Sequence, residues 1–90
     1  MQIVKDQIFI SSLQNILVNI AQDSISQAMI FNNELEEKIN NLAYMPFKFR
    51  QSLFHKNENI RDLIYKGYVV PYLVDTEIIV ILNISKNKNY

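Results

Sequence analysis

The chain has 90 residues, 49% of them hydrophobic and 20% charged, with no cysteine, one histidine and a formal net charge of zero. That profile excludes a disordered chain and leaves room for one domain spanning 1–90. It also excludes a disulfide framework and a cysteine-based metal site, and the lone His55 has no ligand constellation around it in sequence, so no metal or cofactor is expected.

The longest apolar run, Ile78 to Leu82, is far too short to cross a bilayer. No basic region followed by an apolar core opens the sequence, so the expectation is a cytoplasmic protein without a membrane anchor. The charge is unevenly spread. Residues 1–44 set Asp6, Asp23, Glu34, Glu36 and Glu37 against Lys5 and Lys38. Residues 45–90 set Lys48, Arg50, Lys56, Arg61, Lys66, Lys86 and Lys88 against Glu58, Asp62, Asp75 and Glu77. The second half is the basic one, which suits phosphate or an acidic protein segment, or forms an ordinary solvated surface.

Met1 to Lys5 reads as a short first strand. Asp6 is placed to cap a helix over 7–22, in which Phe9, Leu13, Ile16, Leu17 and Ile20 recur at spacings of three and four. Ser24 and Gln27 have the spacing of a capping box and restart a helix from Ile25 to about Tyr44. Ala28, Phe31, Leu35, Ile39 and Leu42 form its apolar stripe, and Glu34 and Lys38 are spaced as a favourable surface pair. Pro46 disfavours a helical Met45 and marks the stop. So short a connection predicts an antiparallel helical hairpin.

The segment 45–59 interleaves Phe47, Phe49 and Phe54 with Lys48, Arg50, His55 and Lys56. Such a mixture can stack on nucleic acid, but phenylalanines in a long connection more commonly pin it to the core. His55 reads as solvated. The stretch 60–84 carries two turn signals, Lys66-Gly67 and Asp75-Thr76-Glu77, and predicts a three-stranded antiparallel meander over 60–65, 67–74 and 78–84. Tyr68, Val70, Tyr72 and Val74 share one strand face. The unbroken run from Ile78 to Leu82 reads as a strand buried on both faces. Pro71 removes an amide donor from a central strand, which requires a local edge or a bulge. Ser85 to Tyr90 reads as a frayed polar end or a mobile basic strip. The fold class is therefore α+β, a helical hairpin covering a small, mainly antiparallel sheet.

This order of elements resembles the RelE/ParE superfamily of bacterial toxins. The resemblance runs through Asn19-Ile20-Ala21, Phe31, Glu34-Leu35, Ile39, Leu42, Pro46 and Arg50, then Ile60-Arg61-Asp62-Leu63, Tyr68-Val69-Val70-Pro71-Tyr72, Val74 and Ile78 to Leu82. It implies the toxin of a type II toxin–antitoxin pair, neutralised by a small cognate antitoxin that wraps it, in a hetero-oligomer. RelE-like members cleave mRNA in the ribosomal A site, whereas ParE-like members inhibit DNA gyrase without cutting RNA.

Two departures favour the ParE-like branch. Nuclease members carry an arginine where this chain has Val69, and a histidine, arginine or tyrosine where it has Ser85-Lys86. RNA cleavage needs a proton acceptor, cations for the phosphorane and a proton donor. Val69 supplies none of these, and Ser85 has no activating neighbour in sequence. Arg50, Arg61, Lys86, Lys88 and Tyr90 are the remaining catalytic candidates. Arg50, Arg61, Lys66, Lys86 and Lys88 are the candidates for target contact; on its strand, Arg61 either faces the target or an antitoxin acid, or pairs with Asp62 or Glu77. Three expectations follow: a gyrase inhibitor acting by protein binding, a divergent ribosome-dependent mRNA endoribonuclease, or a degenerate toxin fold kept to bind an antitoxin.

Overall fold

The structure is a computed structural model and describes residues 1–87. Its elements run β1 (Gln2–Lys5), α1 (Gln7–Asp23), α2 (Ile25–Asn41), β2 (Ile60–Tyr65), β3 (Tyr68–Val74), β4 (Ile78–Ile81) and β5 (Ser85–Lys86). The α+β class and the strand–helix–helix–sheet order follow the sequence reading.

The two helices are set by short polar side chains at their ends. Asp6 accepts from the Ile8 amide at 2.8 Å and opens α1. Ser24 serves both helices: its amide donates to the Ile20 carbonyl at 2.9 Å, and its Oγ accepts from the Gln27 amide at 3.2 Å. A single extended residue thus reverses the chain. The α2 stripe is buried at all five expected positions, Ala28, Phe31, Leu35, Ile39 and Leu42. The helix itself ends at Asn41, short of the expected Tyr44. The amides of Leu42, Ala43 and Tyr44 donate to carbonyls three residues back, so the last turn tightens and the α-helical period stops.

The sheet order is β1–β4–β3–β2, with β1 parallel to β4 and the other pairs antiparallel. Lys66 and Gly67 both take positive φ, +47° and +79°, as a two-residue hairpin turn between right-twisted strands requires. The third meander strand is shorter than expected. It stops at Ile81, and after a break the chain returns to β3 as β5, pairing Ser85 with Val69 and Lys86 with Tyr68. The start of the polar tail is therefore sheet, not a frayed end, and Asn87 is buried.

Pro71 explains the break. Tyr72 faces Ile81 and Val69 faces Ser85, so the partner strand takes one residue more than β3 over this interval. That is a bulge, and it lies opposite the missing amide. The Pro71 carbonyl still accepts from Leu82 at 2.9 Å. On the β2 side nothing is lost, because the Asp62 amide points outward and donates to the Arg50 carbonyl at 3.2 Å.

Helices and sheet enclose one core, built on Phe9, Leu13, Phe31, Leu35, Ile39, Leu63, Tyr72, Ile79 and Ile81. The β4 run is buried on one face only: Ile79 and Ile81 are fully buried, whereas Ile78 and Val80 are half-buried on the face away from the helices. Among the described residues no helix covers that face at β4, so its apolar run is half-exposed and not a two-sided core.

The connection 42–59 also departs from expectation. Phe49 packs against the core, but Phe47 and Phe54 are more than half exposed, as are Tyr44, Met45 and Leu53. What fixes this segment is polar. Gln51 bridges Arg61, and the Ser52 amide donates to the Ile60 carbonyl at 2.8 Å, so residues 50–52 cover the outer edge of β2. The buried Asp62 carboxylate accepts from the Leu53 amide at 3.3 Å. His55 is solvent-exposed, and its Nδ1 lies 2.9 Å from the Ser52 Oγ, which also accepts from the Phe54 amide. That pair closes a local turn.

Candidate functional site

The strand registers sort every side chain of the sheet onto one of two faces. On the helix side, Arg61, Tyr72, Ile81 and Lys5 fall in one line across four strands. Leu63 and Val70 form the next line, and Tyr65, Tyr68 and Lys86 the one after. On the open side, Ile60, Leu73, Val80 and Val4 form an unbroken line across the whole sheet. Asp62 with Pro71, and Ile64 with Val69 and Ser85, continue that face.

The open face is therefore apolar, and it carries no cation from β1 to β5. Arg50 lies beside it, because its register places its backbone against Asp62 at the outer edge. Arg61, a candidate for target or antitoxin contact or for pairing with Asp62 or Glu77, lies on the Tyr72 side of the sheet. Its guanidinium sits 4.8 Å from the Phe47 ring centroid and donates to the Phe49 carbonyl at 3.3 Å. Lys66 pairs with Glu34 at 3.1 Å, and Lys86 stands over the Tyr68 ring at 5.8 Å. Lys88 and Tyr90 lie outside the described residues. Among the described residues, the candidate cations are thus dispersed and do not converge on one centre.

Glu34 turns away from the expected pairing with Lys38. It accepts from the Tyr65 hydroxyl and pairs with Lys66 across the layers, joining α2 to the β2–β3 turn. Its bonds to Tyr65 and Lys66 hold its carboxyl below the usual carboxylate range. Burial, then the bond to Glu34, pushes the Tyr65 phenol up, and the Glu34 bond raises Lys66. Burial pushes Tyr72 up to about 12; its hydroxyl donates to the Pro46 carbonyl at 2.7 Å. These shifts belong to groups that tie the layers together, and each is a structural contact on the helix side.

The open face can do little acid–base chemistry. Asp62 is 1% exposed and holds a loop amide. Ser85 is exposed on the line of Val69, and no histidine stands in the neighbouring strand positions. Among the described residues no group of three or more His, Asp or Glu could hold a metal ion, and no helix is long and apolar enough to cross a membrane. What the face offers is shape and apolar area. The sequence shows these residues but not their alignment: Ile60, Leu73, Val80 and Val4 become a line only when the register is known.

A strand, a helical hairpin and a mixed sheet with an uncovered face define the architecture of a RelE/ParE superfamily toxin. The family description "ParE toxin of type II toxin-antitoxin system, parDE" matches residues 5–89, and the chain belongs to that family. A solved structure titled "Chromosomal ParDE TA system from P. aeruginosa" superposes with a TM-score of 0.80, covering 98% of this chain and 97% of that one at 17% identity. At that identity the likeness is one of fold. No curated protein matches the sequence.

Proposed function

We propose that this type II toxin arrests growth by binding DNA gyrase through the open face of its sheet, and that a cognate antitoxin neutralises it by direct binding in the cytoplasm. The observation that carries this reading is the apolar line Ile60–Leu73–Val80–Val4. A surface that must hold a phosphorane needs fixed cations and a proton relay. A surface that must hold another protein needs desolvated apolar anchors with polar groups at the rim. The open face fits the second description. Arg50 at its edge steers an acidic target surface, and Arg61, Lys66, Lys86 and Lys88 add basic charge elsewhere in the same half of the chain. Val69, on the same face, leaves the first nuclease position without charge or proton.

The test is induction of the chain alone in a bacterial host, with plasmid topology and mRNA 5′ ends measured within minutes of arrest. Relaxed plasmid or induced DNA damage with intact mRNA is the expected result. New ribosome-phased mRNA ends would overturn the gyrase reading in favour of an endoribonuclease. Unimpaired growth would leave an antitoxin-binding module.

A further inference from the structure

The turn at 52–55 is fixed by buried polar groups, yet it holds its apolar side chains in water. The Leu53 amide donates to the Asp62 carboxylate at 3.3 Å, and the Phe54 amide donates to the Ser52 Oγ at 3.3 Å. Asp62 and Ser52 are 1% and 5% exposed. A connection tied this closely to the core can turn its apolar side chains inward, as Phe49 does. Leu53 and Phe54 do the opposite and are 60% and 58% exposed. Two consecutive amides are thus held by buried acceptors while the side chains they carry point to solvent. The turn also borders the open face of the sheet. Asp62 shares that face with Ile60, two residues before it on β2, and the loop reaches its carboxylate through the Leu53 amide. The Ser52 amide donates to the Ile60 carbonyl, so the turn stands directly beyond β2, at the end of the apolar line.

We infer that Leu53 and Phe54 form a preorganised apolar knob that inserts into a pocket of the target protein and carries the contact of the open face past β2. This rests on the reading of the open face as the target-binding surface. Three observations favour that occupant. The knob is continuous with the line Ile60–Leu73–Val80–Val4, so one protein surface can cover both. Its backbone is already fixed, and a fixed aromatic side chain loses little conformational entropy on docking, which is the property of an interface anchor. Its charge is one-sided: residues 48–56 hold Lys48, Arg50 and Lys56 and no carboxylate, so the pocket that fits is apolar with an acidic border. That is the kind of surface Arg50 steers toward. A second copy fits less well, because Arg50 and Lys56 would meet their own counterparts across a two-fold axis. Nucleic acid also fits less well, because Leu53 has no ring face on which a base can stack. Phe47 is a different case: it is exposed too, but its ring carries the Arg61 guanidinium on the Tyr72 side of the sheet.

The test is inhibition of supercoiling by purified gyrase, titrated with the wild-type chain and with Leu53→Ala/Phe54→Ala. Both side chains are exposed and both backbone amides are kept, so circular dichroism and the thermal midpoint should stay at wild-type values. Inhibition should weaken about tenfold or more, the loss of two interface anchors. Ser52→Ala keeps both side chains but releases the Phe54 amide; its hydrogen exchange should quicken and inhibition should weaken a few-fold. A folded double variant that inhibits as well as the wild type overturns the inference. If Leu73→Glu/Val80→Glu still abolishes inhibition, that result leaves the open-face reading standing. A wild type that leaves supercoiling untouched overturns both. A double variant that keeps full inhibition but loses binding to a fluorescent single-stranded oligonucleotide, or loses self-association in sedimentation, assigns the turn to nucleic acid or to a second copy and overturns the inference as well.

Discussion

The two faces of the sheet are made from the same strands and have opposite chemistry at their margins. On the helix side the apolar centre is closed off, and its rim is laced with polar ties: Lys5 to Glu36, Lys66 to Glu34, the Tyr65 hydroxyl to Glu34, Arg61 to the Phe49 carbonyl. On the open side the apolar line Ile60–Leu73–Val80–Val4 is partly exposed, and Arg50 lies at its outer edge. Lys5, Lys66 and Arg61 thus serve to hold the layers together. On the open face, what the described residues present is apolar surface area.

If that contrast is right, disturbing the two faces should have separable consequences. The largest effect is expected on the open face. Leu73→Glu with Val80→Glu should weaken gyrase inhibition about 100-fold, the loss of two apolar anchors, with little change in thermal midpoint. Titrating supercoiling inhibition beside a melting curve checks both halves. On the helix side the ranking reverses. Leu35 is fully buried among the core residues of both layers, and Leu35→Ala should remove about 2–5 kcal/mol of stability, lowering the midpoint by at least about 10 °C in a chain of this size.

The buried phenol of Tyr72 gives the same face a pH signature. Its folded-state pKa is raised, so its contribution is complete below the ordinary value of 10.0 and is lost as pH rises toward about 12. Wild type should lose on the order of 2 kcal/mol across that window. Tyr72→Phe should start about 1 kcal/mol less stable, having lost the bond to Pro46, and should lack this component of the alkaline slope. Denaturant midpoints at closely spaced alkaline pH values measure it.

Smaller effects sharpen the rims. Arg50→Ala should slow association with the target a few-fold and reduce its salt dependence, because an edge charge steers more than it anchors. Stopped-flow binding at two ionic strengths checks this. At Glu34 the folded-state pKa is lowered, so its ties are intact above the ordinary value of 4.5 and lost as pH falls below it. Glu34→Gln should flatten the acid end of the stability profile slightly and leave the neutral region nearly unmoved.

Much of the fold was legible because it is written locally. Asp6, Ser24 and the stripe from Ala28 to Leu42 act within one or two helical turns, and Lys66-Gly67 names its own hairpin. Pro71 announced a disturbance, and the structure puts the extra residue on the partner strand. What the sequence hid depends on distant partners. Glu34 had an obvious neighbour in Lys38 and found Tyr65 and Lys66 instead. Phe47 and Phe54 look like core residues, but a segment pinned through Ser52 and Asp62 holds them outward. Arg61 is a candidate for target contact, and only the fold shows that it also packs on Phe47 and donates to the Phe49 carbonyl.

The most direct test of the central claim is a supercoiling assay with purified gyrase, the purified wild-type chain and its Leu73→Glu/Val80→Glu variant. Inhibition by the wild type, lost in a variant that remains folded, is the predicted result. A wild type that leaves supercoiling untouched, or a folded variant that inhibits as well as the wild type, would contradict the assignment of gyrase binding to the open face of the sheet.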